Sequence, residues 1–239
     1  MLLLSLFFVW LVLVIIFSRI LDWFLSELFP KARYRWIIWP GILIHELSHG
    51  IVGKCMGAKI TDVSLFSKKG GSVTHTKPKI PIIGVPFTAM APLFGCTLTL
   101  FGLMYLFGFE DKFLFFEFKE WSLTSFFSEI IKVGQGIIQV FYLEFRNWMF
   151  WIFLYLALAL TTAIAPSNQD FKNAWLGILI IFFTLAAFLY FEIYVTFIEQ
   201  TLQVLISFFT FGFTFEFFIA TLLFPFWFWK RRHYHFSKK

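Results

Sequence analysis

Six stretches of this chain are apolar over lengths that a soluble fold rarely contains. They run over roughly 2–20, 36–52, 82–109, 148–165, 174–197 and 202–229. A helix needs about 20 apolar residues to cross the hydrocarbon layer, and these runs reach or approach that length. Composition agrees: 59% of the 239 residues are hydrophobic, 38 are Phe, and 14% are charged, against about a quarter charged in soluble domains. The chain reads as an all-α polytopic membrane protein with about six transmembrane helices, organised as one integral-membrane domain over 1–239. The bilayer is its first partner. The opening run, 2–20, looks like a signal peptide, but no basic residue precedes it and no small-x-small cleavage site follows. Arg19 and Asp22 come instead, so it is read as a retained N-terminal helix.

Charge sets an expected orientation. The net charge of +6 comes from short basic blocks beside apolar runs, the pattern of cytoplasmic membrane flanks rather than of a nucleic-acid binder. Lys54, Lys59, Lys68, Lys69, Lys77 and Lys79 lie between the second and third runs. Lys230, Arg231, Arg232, Lys238 and Lys239 form a basic tail, 230–239. With six spans both blocks are cytoplasmic, as are both termini. Lys31, Arg33 and Arg35 then face outward, against the trend.

Two connecting segments have their own character. Over 59–79 Ile60, Asp62, Ser64 and Phe66 alternate with Val63 and Leu65. A Ser67-Lys68-Lys69-Gly70-Gly71-Ser72 stretch and Val73-Thr74-His75-Thr76 follow. This predicts a small β-hairpin with a glycine turn. Residues 112–147 mix Phe, Trp, Glu and Lys without a clean span and predict interfacial helices on the outer face. Cys55 and Cys96 have no close cysteine partner, and both are expected to be buried packing thiols.

The second run carries His45-Glu46-Leu47-Ser48-His49. On a helix, residues four apart share a face, so both imidazoles can aim at one ion. Zinc accepts nitrogen and oxygen ligands in a tetrahedron, and catalytic zinc sites keep one place for water. Glu46, beside the first ligand, can serve as general base for that water. The bland alternative is a polar cluster packed between helices, which is costly to keep inside a membrane.

Such a site needs a third protein ligand. His75, His233 and His235 stand in polar stretches, and Glu192 and Glu216 within apolar runs. Asp170 differs, because the apolar run breaks at Pro166 and Ser167-Asn168-Gln169-Asp170 follows. Irregular backbone at membrane depth is tolerated where protein or water encloses it. Asp170 is therefore read as the third ligand, the alternative being an acid that caps the next helix. Asn168, Gln169 and Asn173 are candidate oxyanion donors. His49 lies about 8 Å, and His45 about 14 Å, of helix from Lys54, so the centre is reached from the cytoplasmic side.

These features together resemble the site-2 protease type of intramembrane zinc metalloproteases. His45 to His49 followed by Gly50 resembles that family's His-Glu-x-x-His helix. Ala91-Pro92-Leu93 resembles its Ala-Gly-Pro-Leu segment, and Pro166 to Asp170 its Asn-x-x-Pro…Leu-Asp-Gly segment. The hairpin sits where the family places a membrane-associated β-element. The likeness covers a core of about 36–175, between the N-terminal helix and C-terminal helices over 174–229. It departs where Gln169-Asp170-Phe171 replaces Leu-Asp-Gly and Met90-Ala91-Pro92 replaces Ala-Gly-Pro.

The resemblance implies zinc on His45, His49 and Asp170, Glu46 as general base, and hydrolysis of peptide bonds in a transmembrane protein substrate. Two other functions fit the same residues. One is a non-proteolytic scaffold or chaperone, with or without metal. The other is a transporter using the intramembrane acids Glu192 and Glu216.

Overall fold

A computed structural model describes residues 2–64, 72–109 and 123–236. Its elements, in chain order, are α1 (Leu2–Leu28), α2 (Lys31–Ile37), α3 (Trp39–Cys55), β1 (Ile60–Ser64), β2 (Ser72–His75), α4 (Pro81–Leu106), α5 (Leu123–Glu144), α6 (Trp148–Ala163), α7 (Asn168–Tyr190) and α8 (Val195–Phe236). Among the described residues the protein is mostly helical, with a small two-stranded sheet. Helices α1, α4, α7 and α8 are long and apolar enough to cross a membrane. The second and fourth apolar runs form shorter helices, α3 of 17 residues and α6 of 16. Six full-length spans are therefore not reproduced.

Several boundaries differ from the hydropathic runs. α1 continues to Leu28 through Arg19, Asp22 and Glu27, because isolated charges do not stop a helix whose backbone bonds are internal. The expected fifth run divides at Phe191–Tyr194. There Glu192 and Tyr194 hold left-handed φ values of 56° and 50°. Glu192 is thus an exposed turn residue outside both helices.

The hairpin is antiparallel, with Val63 opposite Val73 and Ser64 opposite Ser72. Its glycine turn falls outside the described residues, as does 110–122 of the expected interfacial segment. The rest of that segment forms α5, amphipathic in its exposed Lys132, Gln135 and Gln139 and its buried Gly136 and Val140. Cys96 is buried, but Cys55 is exposed, because it ends α3 where the chain turns away from the bundle.

α3 is enclosed by close backbone approaches. A Cβ on Gly41 would lie 1.9 Å from the Ala159 carbonyl oxygen of α6, and one on Gly95 of α4 would lie 2.0 Å from Ser48 Oγ. Small residues permit such contacts where no hydrophobic drive separates helix from lipid. α6 and α7 then follow one another along α4. Ala163 O lies 3.9 Å from Cys96 Sγ, and a Cβ on Gly177 would meet Pro86 at 2.1 Å.

The phenylalanines join α1 to α8. Ring pairs Phe7–Phe209, Trp10–Phe213, Phe17–Phe217 and Phe24–Trp227 have centroids 4.9–5.9 Å apart. The pairs advance in the same direction on both helices, so the two run parallel. At their common end Trp227 Nε1 donates to Glu27 Oε2 at 2.6 Å, and Lys230 Nζ donates to the Glu27 and Leu28 carbonyls at 2.8 and 2.9 Å. The basic blocks around Arg33 and around Arg231 therefore share one end. Six alternating spans set them on opposite sides.

Candidate metal centre

The helical period brings His45 and His49 to one face of α3, with ring centroids 4.9 Å apart. The Asp170 carboxylate approaches both. Its Oδ2 is 3.9 Å from His45 Nε2 and 3.5 Å from His49 Nε2. The three candidate ligand atoms lie within 4.8 Å of one another. Ligand bonds of about 2.0–2.1 Å in a tetrahedron imply ligand separations of about 3.3 Å, so the cluster is close to the spacing that an ion requires.

The second ring nitrogens decide the chemistry. His45 Nδ1 lies 2.7 Å from the Ala163 carbonyl and His49 Nδ1 lies 2.8 Å from that of Thr88. A carbonyl only accepts, so both Nδ1 atoms carry hydrogen, and in the neutral rings each Nε2 presents a lone pair. Two lone pairs and a carboxylate oxygen thus converge with no hydrogen among them. A cation, a proton or a metal ion, satisfies that arrangement. Carbonyl-oriented imidazoles of this kind are the usual support of metal-bound histidine.

Both carbonyls are available for a local reason. Thr88 stands four residues before Pro92, which has no N–H to donate, so the helix leaves the Thr88 oxygen free. Ala163 is the last residue of α6. Ser167 N, which a continued helix would direct to Ala163, instead donates to Asp170 Oδ2 at 2.9 Å. Asp170 N donates in turn to Ser167 Oγ at 3.1 Å, completing a capping box at the start of α7. The cap reading of Asp170 is thus met, and the same cap aims its carboxylate at the two histidines.

Glu46 reaches the hairpin, its Oε2 accepting from Val73 N at 3.0 Å. A cavity of about 220 Å³ is lined by His45, Glu46, His49 and Asp170 together with His75 and Asn173. β2 lies across α3 at two glycines. Val73 faces Gly50, and His75 faces Gly53. His75 was set aside in the sequence because it stands in a polar stretch. Its signal was the strand period, which puts His75 on the same face as Val73.

The oxyanion candidates divide. Asn173 lines the cavity, and its Oδ1 accepts from Gln169 Nε2 at 3.2 Å. Asn168 does not line it, and its Oδ1 accepts from Arg19 Nη2 at 3.3 Å. Glu216 is fully buried on α8, and its carboxylate oxygens have no hydrogen-bond partner among the described residues. Neither it nor Glu192 lines the metal cavity.

Comparison with protein-family models, with curated proteins and with solved structures finds no match. What the chain can do rests on its own geometry. Two imidazole nitrogens and one carboxylate oxygen form a group that could hold a metal ion. Three protein donors would leave coordination on such an ion for water.

Proposed function

We propose that this protein is an intramembrane zinc metalloendopeptidase of the site-2 protease type, acting on transmembrane protein substrates. One observation carries the reading. Two Nε2 lone pairs and the Asp170 carboxylate converge in a cavity that also holds Glu46, the residue next to the first ligand. His45, His49 and Asp170 would hold zinc, and the bound metal would polarise the scissile carbonyl and acidify water.

The chain's own groups do the rest. Glu46 takes a proton from the attacking water and delivers one to the departing amine. The water oxygen forms the new bond to carbon as the carbon–nitrogen bond breaks. His75 lines the same cavity, and its imidazole would exchange a proton with the substrate. The β1–β2 ribbon receives the locally unwound substrate by strand addition. Substrate enters from the side that bears the ribbon, where Lys54, Lys59, Lys77 and Lys79 also lie, opposite the end that bears Arg33 and Arg231.

The test uses purified protein loaded with zinc and a model transmembrane substrate. Cleavage is expected, and Glu46→Gln should reduce it by about 100-fold or more while the zinc content stays near one per chain. Full cleavage by Glu46→Gln would rule the mechanism out. Stoichiometric zinc without cleavage in any substrate context would favour the scaffold reading.

A further inference from the structure

The break between α6 and α7 leaves backbone groups without helical partners inside a membrane-embedded bundle, where each must be satisfied by protein. α1 meets them with two adjacent side chains. Ser18, fully buried, donates through Oγ to the Thr161 carbonyl at 2.7 Å, with the Thr162 carbonyl at 3.2 Å. The same oxygen accepts from Ala165 N at 2.9 Å. Arg19 Nη2 donates to the Pro166 carbonyl and, at 3.3 Å, to Asn168 Oδ1.

These contacts flank the two groups that matter at the centre. Ala163, whose carbonyl orients His45, sits between Thr162 and Ala165. Asp170 follows Asn168 by two residues. An arginine on an apolar helix is expensive at membrane depth, and here its guanidinium is directed at the break. We propose that Ser18 and Arg19 are positioning residues of the metal centre. They pin the break so that the Asp170 carboxylate and the Ala163 carbonyl keep their places against His45 and His49. The inference rests on the metal reading of that site and not on peptide hydrolysis.

The experiment measures zinc Kd by chelator competition, and the absorption spectrum of the cobalt-loaded protein, in detergent. Ser18→Ala combined with Arg19→Gln should weaken zinc by about 10–100-fold, as supporting contacts of metal ligands do, and should change the cobalt spectrum. Arg19→Lys should recover part of the loss. Asp22→Ala, on the same helix as Ser18 and Arg19, removes the acceptor for the Tyr34 hydroxyl of α2 and should leave both readouts unchanged. In an Asp170→Ala background the loss from Ser18→Ala should shrink, because coupled residues are not additive.

An unchanged Kd and spectrum in the folded double variant, or losses fully additive with Asp170→Ala, would overturn the proposal. If the double variant does not fold, Ser18→Ala and Arg19→Gln read singly decide it by the same criteria. Wild-type protein that binds no metal overturns both this inference and the proposed function. Protein that binds metal but does not cleave leaves this one standing.

Discussion

The Thr88 carbonyl accepts from His49 Nδ1 at 2.8 Å, and it is free to do so because the residue four positions later is Pro92. The proline that interrupts α4 thus also fixes the tautomer of a candidate metal ligand in α3. Pro92→Ala restores an N–H that competes for the same oxygen. It should weaken zinc binding by about 10–100-fold while helix content by circular dichroism stays the same or rises. Unchanged affinity would show that His49 keeps its orientation without Thr88.

Gly41 precedes His45 by one turn, and Ala159 precedes Ala163 by one turn. The close approach at Gly41 therefore sets the distance over which His45 Nδ1 reaches the Ala163 carbonyl. Gly41→Ala places a Cβ 1.9 Å from a backbone oxygen, so one helix must move. The expected cost is about 1–3 kcal/mol of stability together with weaker metal binding. Thermal unfolding with and without zinc measures both.

Ser167 separates the two duties of Asp170. Ser167→Ala removes the acceptor of the capping box and should lower stability by about 0.5–2 kcal/mol. The Ser167 N–H to Asp170 bond remains, so the metal should be retained at near wild-type stoichiometry. Asp170→Ala should lower stability and weaken metal binding to below one ion per chain, with a Kd still measurable by chelator competition. Elemental analysis beside urea unfolding distinguishes these outcomes.

His75 touches the cavity but lies outside the group of candidate metal ligands. His75→Gln should keep zinc and lower kcat by about 100-fold. Loss of zinc in that variant would make His75 a ligand instead.

Pairing of α1 with α8 predicts a sidedness. In a background of Cys55→Ser and Cys96→Ser, single cysteines at Phe29 and Trp229 should react with an impermeant thiol reagent from the same side of sealed vesicles. Reaction from opposite sides would contradict the Glu27–Trp227 contact.

Much of the candidate cluster is legible in the sequence. His45, Glu46 and His49 follow from spacing on a helix, and Asp170 from the polar patch after Pro166. The hairpin followed from alternation and was found at 60–64 and 72–75. What escaped lies in contacts between distant backbone atoms and side chains. Thr88 and Ala163 contribute carbonyls, and a residue's letters do not show which carbonyl lacks a partner, although Pro92 is such a mark. Ser18 and Arg19 looked like the end of an apolar run because their partners lie more than 140 residues away. The turn at Phe191–Tyr194 contains neither glycine nor proline, so hydropathy carried the fifth run straight through it.

The bond between Val73 N and Glu46 Oε2 ties Glu46 to a ribbon 27 residues further along the chain. Whatever lifts β2 from Gly50 and Gly53 strips the carboxylate of that donor and leaves it to solvate itself with water. The direction in which the Glu46 carboxylate points therefore depends on how that strand is seated. A peptide that paired with the ribbon would meet a carboxylate already held by that ribbon.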